Sequence, residues 1–209
     1  MKTLGLLFAF GLGASTGTVI NFDTAPLGKL PPGWIVSMTH QGGAPKWEIR
    51  RDQTAPTQPY VLAQVSNDGT IDRSPLAILN TISLRDGEVS VKMKPVGGRE
   101  DQGGGLVWRY RDENNYYLLR ADALGRKVAV FKVENGRRTE LVNAVKPDIP
   151  ANGWSILKVS TRGNRFQVYV DHRRLLQGQD NTFTSAGKVG LCTEGDSVTY
   201  FDDFRVYPR

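Results

Sequence analysis

Cysteine is nearly absent from this sequence, since Cys192 is the only one. A disulfide within the chain is therefore excluded, and the folded state must be stabilised by its hydrophobic core. Long apolar runs are also missing apart from Leu4–Ala14, which is too short to cross a hydrocarbon layer about 30 Å thick. We therefore expect no permanent membrane anchor, and with no cysteine at the end of this run we expect no lipid attachment there.

The residues that flank this apolar run are those of a secretory signal peptide. Lys2 precedes it and small residues follow at 15–17, which is typical of a signal peptide. We predict that residues 1–17 are the signal peptide and that residues 18–209 form a single mature domain. A buried first strand or helix is the alternative for this run. The signal predicts a secreted or periplasmic bacterial protein.

Concentrated positive charge is missing, although the net charge is +6. Basic pairs are scattered along the chain with acidic residues nearby, at Arg50-Arg51, Arg137-Arg138 and Arg173-Arg174. Nucleic-acid binders usually concentrate basic residues on one face or along one helix. We therefore expect no nucleic-acid partner and interpret the excess charge as a general preference for anionic surfaces.

Apolar residues at helical spacing are lacking, whereas alternation with a period of two is present. Residues 88–94 and 165–171 alternate between apolar and polar types, which predicts strands with one face in a core and the other in water. Further short runs rich in β-branched and aromatic residues are separated by Gly-rich turns. The pattern predicts about ten to thirteen short strands in an all-β sandwich or barrel.

The last predicted strand, Val198–Val206, interrupts this alternation at two carboxylates. Strict alternation places Asp202 on the same side as Phe204, whereas Phe201 faces the other way. A bulge at Asp202-Asp203 would return both phenylalanines to apolar surroundings. The alternative is that the two carboxylates are needed at this position.

Four segments, in this order, resemble the bacterial laminin-G-like, concanavalin A-like lectin/glucanase domains. They are 104–117 (GGLVWRYRDENNYY), 153–159 (GWSILKV), 164–175 (NRFQVYVDHRRL) and 188–206. Asp171-His172 departs from the Asp-Gly usual in the third segment. The resemblance covers Phe22 to Val206 and implies a two-sheet antiparallel jelly-roll sandwich. It also points to relatives described as 3-keto-disaccharide hydrolases or carbohydrate-binding domains. The resemblance alone does not choose between these activities, since this fold occurs in binding and catalytic proteins alike.

Two patterns of catalytic residues are missing. Glucanases of this fold carry Glu-x-Asp-x-x-Glu on one strand; here Glu194 and Asp196 have the first spacing, but Thr199 replaces the second glutamate. We interpret these two acids, like Glu100-Asp101, as parts of solvated turns. A Gly-x-Ser-x-Gly nucleophile elbow is also absent. We therefore assign no catalytic residue.

Aromatic residues and arginines on two neighbouring strands predict a sugar site. A ring can stack on the C–H face of a sugar while planar polar groups bind its hydroxyls. We expect Arg109 and Arg120 to meet across the hairpin, on the sheet where the resembled family binds ligand, with Trp108 or Tyr116 as the stacking surface. The alternative is that the rings fill the core and the arginines pair with carboxylates.

A calcium site is predicted at the two ends of the domain. Asp23, Asp202 and Asp203 would be neighbours if the terminal strands pair, and carboxylate oxygens suit Ca²⁺. The alternative is that Asp203 pairs with a basic group while Asp202 accepts backbone hydrogen bonds at a bulge.

Taken together, these features predict an exported, lectin-like module that binds a glycan or oligosaccharide without the usual glycosidase machinery. A hydrolase or lyase of modified disaccharides remains an open alternative, as does a structural interaction module of the cell envelope.

Overall fold

The computed structural model describes residues 16–70 and 72–209, so the predicted signal peptide lies almost entirely outside the described residues. Within these ranges the regular secondary structure is all β, and none of it is a helix that could cross a membrane. The strands are β1 (Thr18–Ile20), β2 (Trp34–Thr39), β3 (Trp47–Arg51), β4 (Tyr60–Gln64), β5 (Ser74–Leu84), β6 (Gly87–Gly97), β7 (Gly103–Asp112), β8 (Asn115–Asp122), β9 (Lys127–Glu134), β10 (Arg137–Val145), β11 (Ser155–Arg162), β12 (Arg165–Val170), β13 (Arg173–Gln179), β14 (Gly187–Cys192) and β15 (Val198–Pro208).

These strands form two antiparallel sheets packed face to face. The eight-stranded sheet has the order β13-β12-β11-β6-β15-β4-β3, with β1 paired to β15, and the seven-stranded sheet has the order β10-β9-β8-β7-β14-β5-β2. The predicted all-β, two-sheet antiparallel sandwich is therefore confirmed. Hairpins join six of the thirteen neighbouring strand pairs in the described residues, while crossings such as β5 to β6 and β13 to β14 connect the sheets.

The main core lies between the two sheets. Alternate residues of β6 are buried, and Val89, Val91 and Met93 point inward to meet residues of the other sheet such as Leu106 and Leu119. Burying a side chain of this size contributes about 1.5–3 kcal/mol each. The period of two read from the sequence is thus the pattern that builds this core.

A bulge in β15 resolves the conflict seen in the sequence. The pairing of β15 with β6 shifts register between Asp202 and Arg205, and Asp203 takes a positive φ of 51°. Phe201 and Phe204 are consequently both fully buried. The predicted bulge is confirmed, and it is what places two aromatic rings in the core despite their incompatible spacing.

The predicted calcium site is not formed, although β1 does pair with β15. Asp202 accepts hydrogen bonds from the backbone nitrogen and hydroxyl of Thr57 at 2.8 and 2.9 Å, and Asp203 forms an ion pair with Lys92 at 2.7 Å. Asp23 instead accepts a backbone hydrogen bond at the start of β4. Across residues 16–70 and 72–209, no three His, Cys, Asp or Glu side chains are arranged to hold a metal ion. The expectation was wrong because each carboxylate already has its own partners.

Candidate functional site

The hairpin of β7 and β8 directs its aromatic residues to both faces of the seven-stranded sheet. Trp108 is only 2% exposed and stacks on Tyr117 with the ring centroids 5.5 Å apart, inside the main core. Tyr117 also donates a hydrogen bond to Asp180, and burial, as the largest cause, raises its pKa to about 12. Trp108 therefore fills the core and offers no stacking surface to a sugar.

Tyr116 lies on the outer face of the same sheet, but it is covered. Its ring is fully buried beside Tyr110, at 5.9 Å between centroids, and its hydroxyl lies 2.6 Å from that of Thr39. Burial raises the pKa of Tyr116, so the phenol stays protonated. The ring belongs to a second apolar cluster on this face and does not reach a ligand.

The Arg109 side chain is hydrogen-bonded to backbone carbonyls. Its guanidinium donates hydrogen bonds to the carbonyl of Phe183 at 2.5 Å, to that of Arg85 at 3.1 Å and to that of Gly163. The side chain is buried, and burial lowers the pKa of Arg109. These carbonyls belong to loops at the end of the sandwich, so Arg109 ties the two sheets together there.

The two predicted arginines do not meet. Arg109 has a φ of 50°, and the β7–β8 pairing shifts register between Trp108 and Asp112. Strict alternation would place Arg109 on the outer face with Arg120, but the irregularity turns it towards the inter-sheet loops. A one-residue irregularity is enough to change the face on which a side chain lies. The prediction that the two guanidinium groups share one site was wrong.

Arg120 is on the expected outer face and is surrounded by carboxylates. Its guanidinium contacts Asp101, lies 3.2 Å from Asp122 and lies 3.0 Å from Glu194. Burial alone would lower the pKa of Arg120, but Glu194, Asp101 and Asp122 together raise it. Arg120 is therefore a permanent cation that holds three acidic side chains in place.

Arg138 on β10 completes this arrangement from the neighbouring edge of the sheet. It forms an ion pair with Glu194, and its guanidinium lies 3.9 Å from Asp72 and 5.1 Å above the ring of Phe131. Glu194 thus bridges Arg120 and Arg138. In the sequence, Arg138 stood out only as half of the scattered basic pair Arg137-Arg138, and nothing there indicated that it meets Glu194.

An open pocket of about 270 Å³ lies over these groups. We call it the arginine–carboxylate pocket; it is lined by Gly69, Thr70, Asp72, Glu100, Asp101, Arg120, Arg138, Glu194 and Gly195. The side chain of Asp72 is 67% exposed, while those of Asp101 and Arg138 are each 27% exposed. The rim therefore presents an acceptor that water or a ligand can reach, and the floor is fixed by ion pairs.

The turn that carries Asp101 is held by Asp196. The carboxylate of Asp196 accepts backbone hydrogen bonds from Arg99 at 2.6 Å, Glu100 at 3.2 Å and Asp101 at 3.1 Å. Burial opposes the charge of Asp196, yet these hydrogen bonds lower its pKa overall. Asp101 differs from Asp196, because burial, as the largest cause, raises the pKa of Asp101 although Arg120 opposes this rise.

The interpretation of these acids as solvated turns was wrong for two of them. Glu194 is 5% exposed and Asp196 is 7% exposed, because both follow β14 directly and fold back against the sheet. Asp101 lies in the β6–β7 connection next to them. Their positions at the ends of strands β6 and β14 were the available signal, but only the tertiary fold brings those ends together.

Arg73 supports the opposite wall of the pocket. It is fully buried and donates hydrogen bonds to the carbonyls of Gly43 and Gly195 and to the hydroxyl of Ser66. Burial, as the largest cause, lowers the pKa of Arg73. This side chain joins three loop segments and so fixes the position of Gly195 at the pocket.

Comparison with known proteins gives the fold. No family model matches the chain. A carbohydrate-binding module of Bacillus subtilis, CBM66, superposes with a TM-score of 0.65 at 24% identity, covering 88% of this chain and 99% of that one. A β-glucanase of Bacillus licheniformis superposes with a TM-score of 0.61 at 13% identity, covering 95% and 100%. The chain has the jelly-roll sandwich shared by concanavalin A-like lectins and glucanases, as the sequence resemblance implied.

One curated relative matches at the level of sequence. A levanase of Bacillus subtilis (strain 168) is 34% identical over 105 residues, which make up 50% of this chain and 15% of the levanase. The match therefore spans a small part of that enzyme's length.

Proposed function

We propose that this chain is a carbohydrate-binding module and that the arginine–carboxylate pocket holds the sugar. The observation that carries the proposal is that Arg120, Arg138, Asp101 and Glu194 are fixed by mutual ion pairs in the lining of one open pocket. Guanidinium groups donate hydrogen bonds in a plane and carboxylates accept them, so neighbouring sugar hydroxyls find both kinds of partner. The likeness in fold to a carbohydrate-binding module supports this class of function.

The ligand that we propose is a fructan of the levan type. The partial sequence match to a levanase supports this choice, because binding modules commonly share the polysaccharide of the enzymes that carry them. The side chains on the pocket floor are held before the ligand arrives, since Glu194 is clamped between Arg120 and Arg138. Such preorganisation lowers the entropy lost on binding.

The test is retention of the purified protein on levan, compared with an Asp72→Asn variant. Asp72 has a φ of 66°, which asparagine tolerates, and its side chain is largely exposed, so the variant should keep its melting temperature. We expect about tenfold weaker binding from the loss of one charged acceptor. Asp148→Asn is the matched control, because Asp148 is exposed and lies outside the pocket.

Three outcomes would count against the proposal. Equal retention of the wild type and Asp72→Asn would show that the arginine–carboxylate pocket is not the sugar site. Retention on another neutral polysaccharide but not on levan would show that the proposed ligand is wrong, while the proposed site would still stand. Failure to bind any member of a broad glycan array would favour the interaction module of the cell envelope.

A hydrolase is the second candidate, and one observation favours it. Asp101 and Glu194 line the same pocket, glycoside hydrolysis uses a pair of carboxyl groups, and burial, as the largest cause, raises the pKa of Asp101 in the direction that a general acid needs. On this hypothesis the purified protein releases sugar from its polysaccharide, and Asp101→Asn stops the release without preventing binding. An absence of product after prolonged incubation would exclude it.

We also propose that the chain acts outside the cytoplasm. The support is the sequence alone, namely Lys2 followed by the apolar run Leu4–Ala14 and small residues. Mass spectrometry of the protein recovered from periplasm or culture medium should find an N-terminus near Thr18. A recovered protein that still begins at Met1 would contradict the proposal.

A further inference from the structure

A second groove, of about 400 Å³, lies on the outer face of the eight-stranded sheet, the side of the sandwich away from the arginine–carboxylate pocket. We call it the outer groove and define it by Ser90, Lys92, Lys158, Tyr169, Arg205 and Tyr207. Neither the proposed sugar site nor the core uses these side chains.

The floor of the outer groove follows from strand register. Arg205 of β15 pairs with Ser90 of β6, Ser90 pairs with Lys158 of β11, and Lys158 pairs with Tyr169 of β12. Adjacent strands lie about 4.8 Å apart, so this row spans about 14 Å. Ser90 is the smallest side chain in the row, and the longer side chains on either side of it form the walls.

One wall carries more positive than negative charge. Asp203, which the β15 bulge holds at 4% exposure, lies 2.7 Å from Lys92 and 3.4 Å from Arg205. Two cations therefore face one buried carboxylate. The arrangement leaves one positive charge that a ligand can neutralise.

The other wall repeats this imbalance. Glu88 lies 3.2 Å from Lys158 and 2.5 Å from Arg209. Arg209 lies outside the groove lining, so the lining itself has three cations, Lys92, Lys158 and Arg205, against two carboxylates, Glu88 and Asp203. A ligand with negative charges at intervals would pair with this excess, whereas a neutral ligand would leave it uncompensated.

Tyrosine rings border the same groove. Lys158 lies 4.4 Å from the centre of the Tyr169 ring, and Tyr207 is 40% exposed. One exposed ring, Tyr207, and one half-buried ring, Tyr169, in a cationic groove suit a ligand that has both flat apolar faces and anionic groups. A sugar ring that carries a carboxylate has both.

We propose that the outer groove binds an acidic polysaccharide made of uronic acid units. Arg205, Lys92 and Lys158 pair with the carboxylates, and Tyr169 and Tyr207 contact the sugar faces. The groove is open along the sheet surface, so it admits a chain segment as well as a chain end. This site is separate from the proposed levan pocket and does not depend on it.

The experiment measures binding of polygalacturonate by isothermal titration calorimetry in 0.15 M salt. We expect Arg205→Ser and Lys158→Ser each to weaken binding about tenfold, as the loss of one charge-assisted contact predicts. Tyr207→Ala tests the ring, and because its side chain is already exposed, this variant stays informative if a charge variant fails to fold. Lys29→Ser is the matched control, since Lys29 is exposed outside the groove.

Polyglutamate separates sugar recognition from charge attraction, because it carries carboxylates without sugar rings. Binding of polyglutamate as tight as that of polygalacturonate would overturn the proposal, and so would no measurable binding of polygalacturonate. Asp72→Asn should leave polygalacturonate binding unchanged, and Arg205→Ser should leave levan retention unchanged. The two sites can therefore fail independently of each other.

Discussion

Arg120 is the residue on which the candidate pocket depends, because a single guanidinium forms ion pairs with Asp101, Asp122 and Glu194. The sequence suggested an arm that reaches a ligand. The structure shows a half-buried cation whose first role is to hold three neighbouring carboxylates close together. Substituting Arg120 is therefore expected to change the stability of the protein, whatever its effect on binding.

Arg120→Ala should lower the free energy of unfolding by about 3–5 kcal/mol at pH 7, because it leaves partly buried carboxylates without their cation. Urea unfolding measures this loss. Arg126→Ala removes an exposed arginine and should leave the unfolding midpoint unchanged. An Arg120→Ala protein with the wild-type midpoint would mean that the carboxylates are solvated and that the ion cluster does not hold.

Asp101 should make the stability depend on pH in an unusual direction. Its pKa in the folded protein is raised above the ordinary 3.8 by burial, the largest cause; Arg120 opposes the rise and the surrounding acids add to it. The folded state therefore binds this proton more tightly than the unfolded chain, and stability decreases as the pH rises from about 4 through the raised pKa. The stability of Asp101→Asn relative to wild type should increase over that range. Urea midpoints from pH 4 to 7 measure it, and a relative stability that falls with pH would contradict the assignment.

At the scale of elements, the pocket depends on the turn between β6 and β7. Asp196 accepts three backbone hydrogen bonds in this turn, and Gly98 at its start has a φ of 139°, where an added Cβ would lie 1.8 Å from the carbonyl oxygen of Asp101. The turn thus needs a glycine at one end and a carboxylate beneath it. Asp101 faces the pocket only while both are present.

Asp196→Ala should therefore lower the free energy of unfolding by about 2 kcal/mol and weaken levan binding, because hydrogen bonds to a charged group are lost. The pKa of Asp196 is lowered in the folded state, so its contribution is complete above the unfolded value of 3.8 and is lost as the pH falls below it. The difference between variant and wild type should shrink in urea titrations near pH 2–3. A difference that is constant with pH would show that the hydrogen bonds do not need the charge.

Periodicity predicted some strands and missed others for identifiable reasons. Strands β6 and β12 have one buried and one exposed face, so their alternation was visible in the sequence. Strand β5 was not recognised, because Ser74–Leu79 is buried on both faces and shows no alternation. Strand β10 was missed for the opposite reason, since it is a polar edge strand at one end of its sheet.

The candidate site was only partly predictable, because its members come together through tertiary structure. The outward position of Arg120 followed from its spacing to Tyr116, and this part was correct. The position of Arg109 depended on one positive φ in β7, which the surrounding residues do not signal. Glu194 and Asp101 are far apart in sequence, so their meeting at one guanidinium required the strand order.

At the scale of the whole molecule, the two outer faces of the sandwich differ. The outer face of the seven-stranded sheet carries its own buried apolar cluster, which includes Tyr116, Leu118 and Cys192, and the arginine–carboxylate pocket lies over the same sheet. The outer face of the eight-stranded sheet holds the outer groove of about 400 Å³ and carries surplus cations. The net charge of +6 is therefore partly concentrated in one groove, although the basic pairs are scattered in the sequence.

The junction of the chain ends also determines how the protein should respond to metal ions. Asp202 is fully buried with its carboxylate on Thr57, and burial, as the largest cause, raises its pKa, which disfavours the charge that Ca²⁺ would need. Asp203 is already neutralised by Lys92 and Arg205. We expect neither EDTA nor millimolar CaCl₂ to shift the melting temperature in differential scanning fluorimetry. A calcium-dependent rise would require Asp203 to exchange its lysine for the ion, and Lys92→Ala, which frees that carboxylate, should then enlarge the rise.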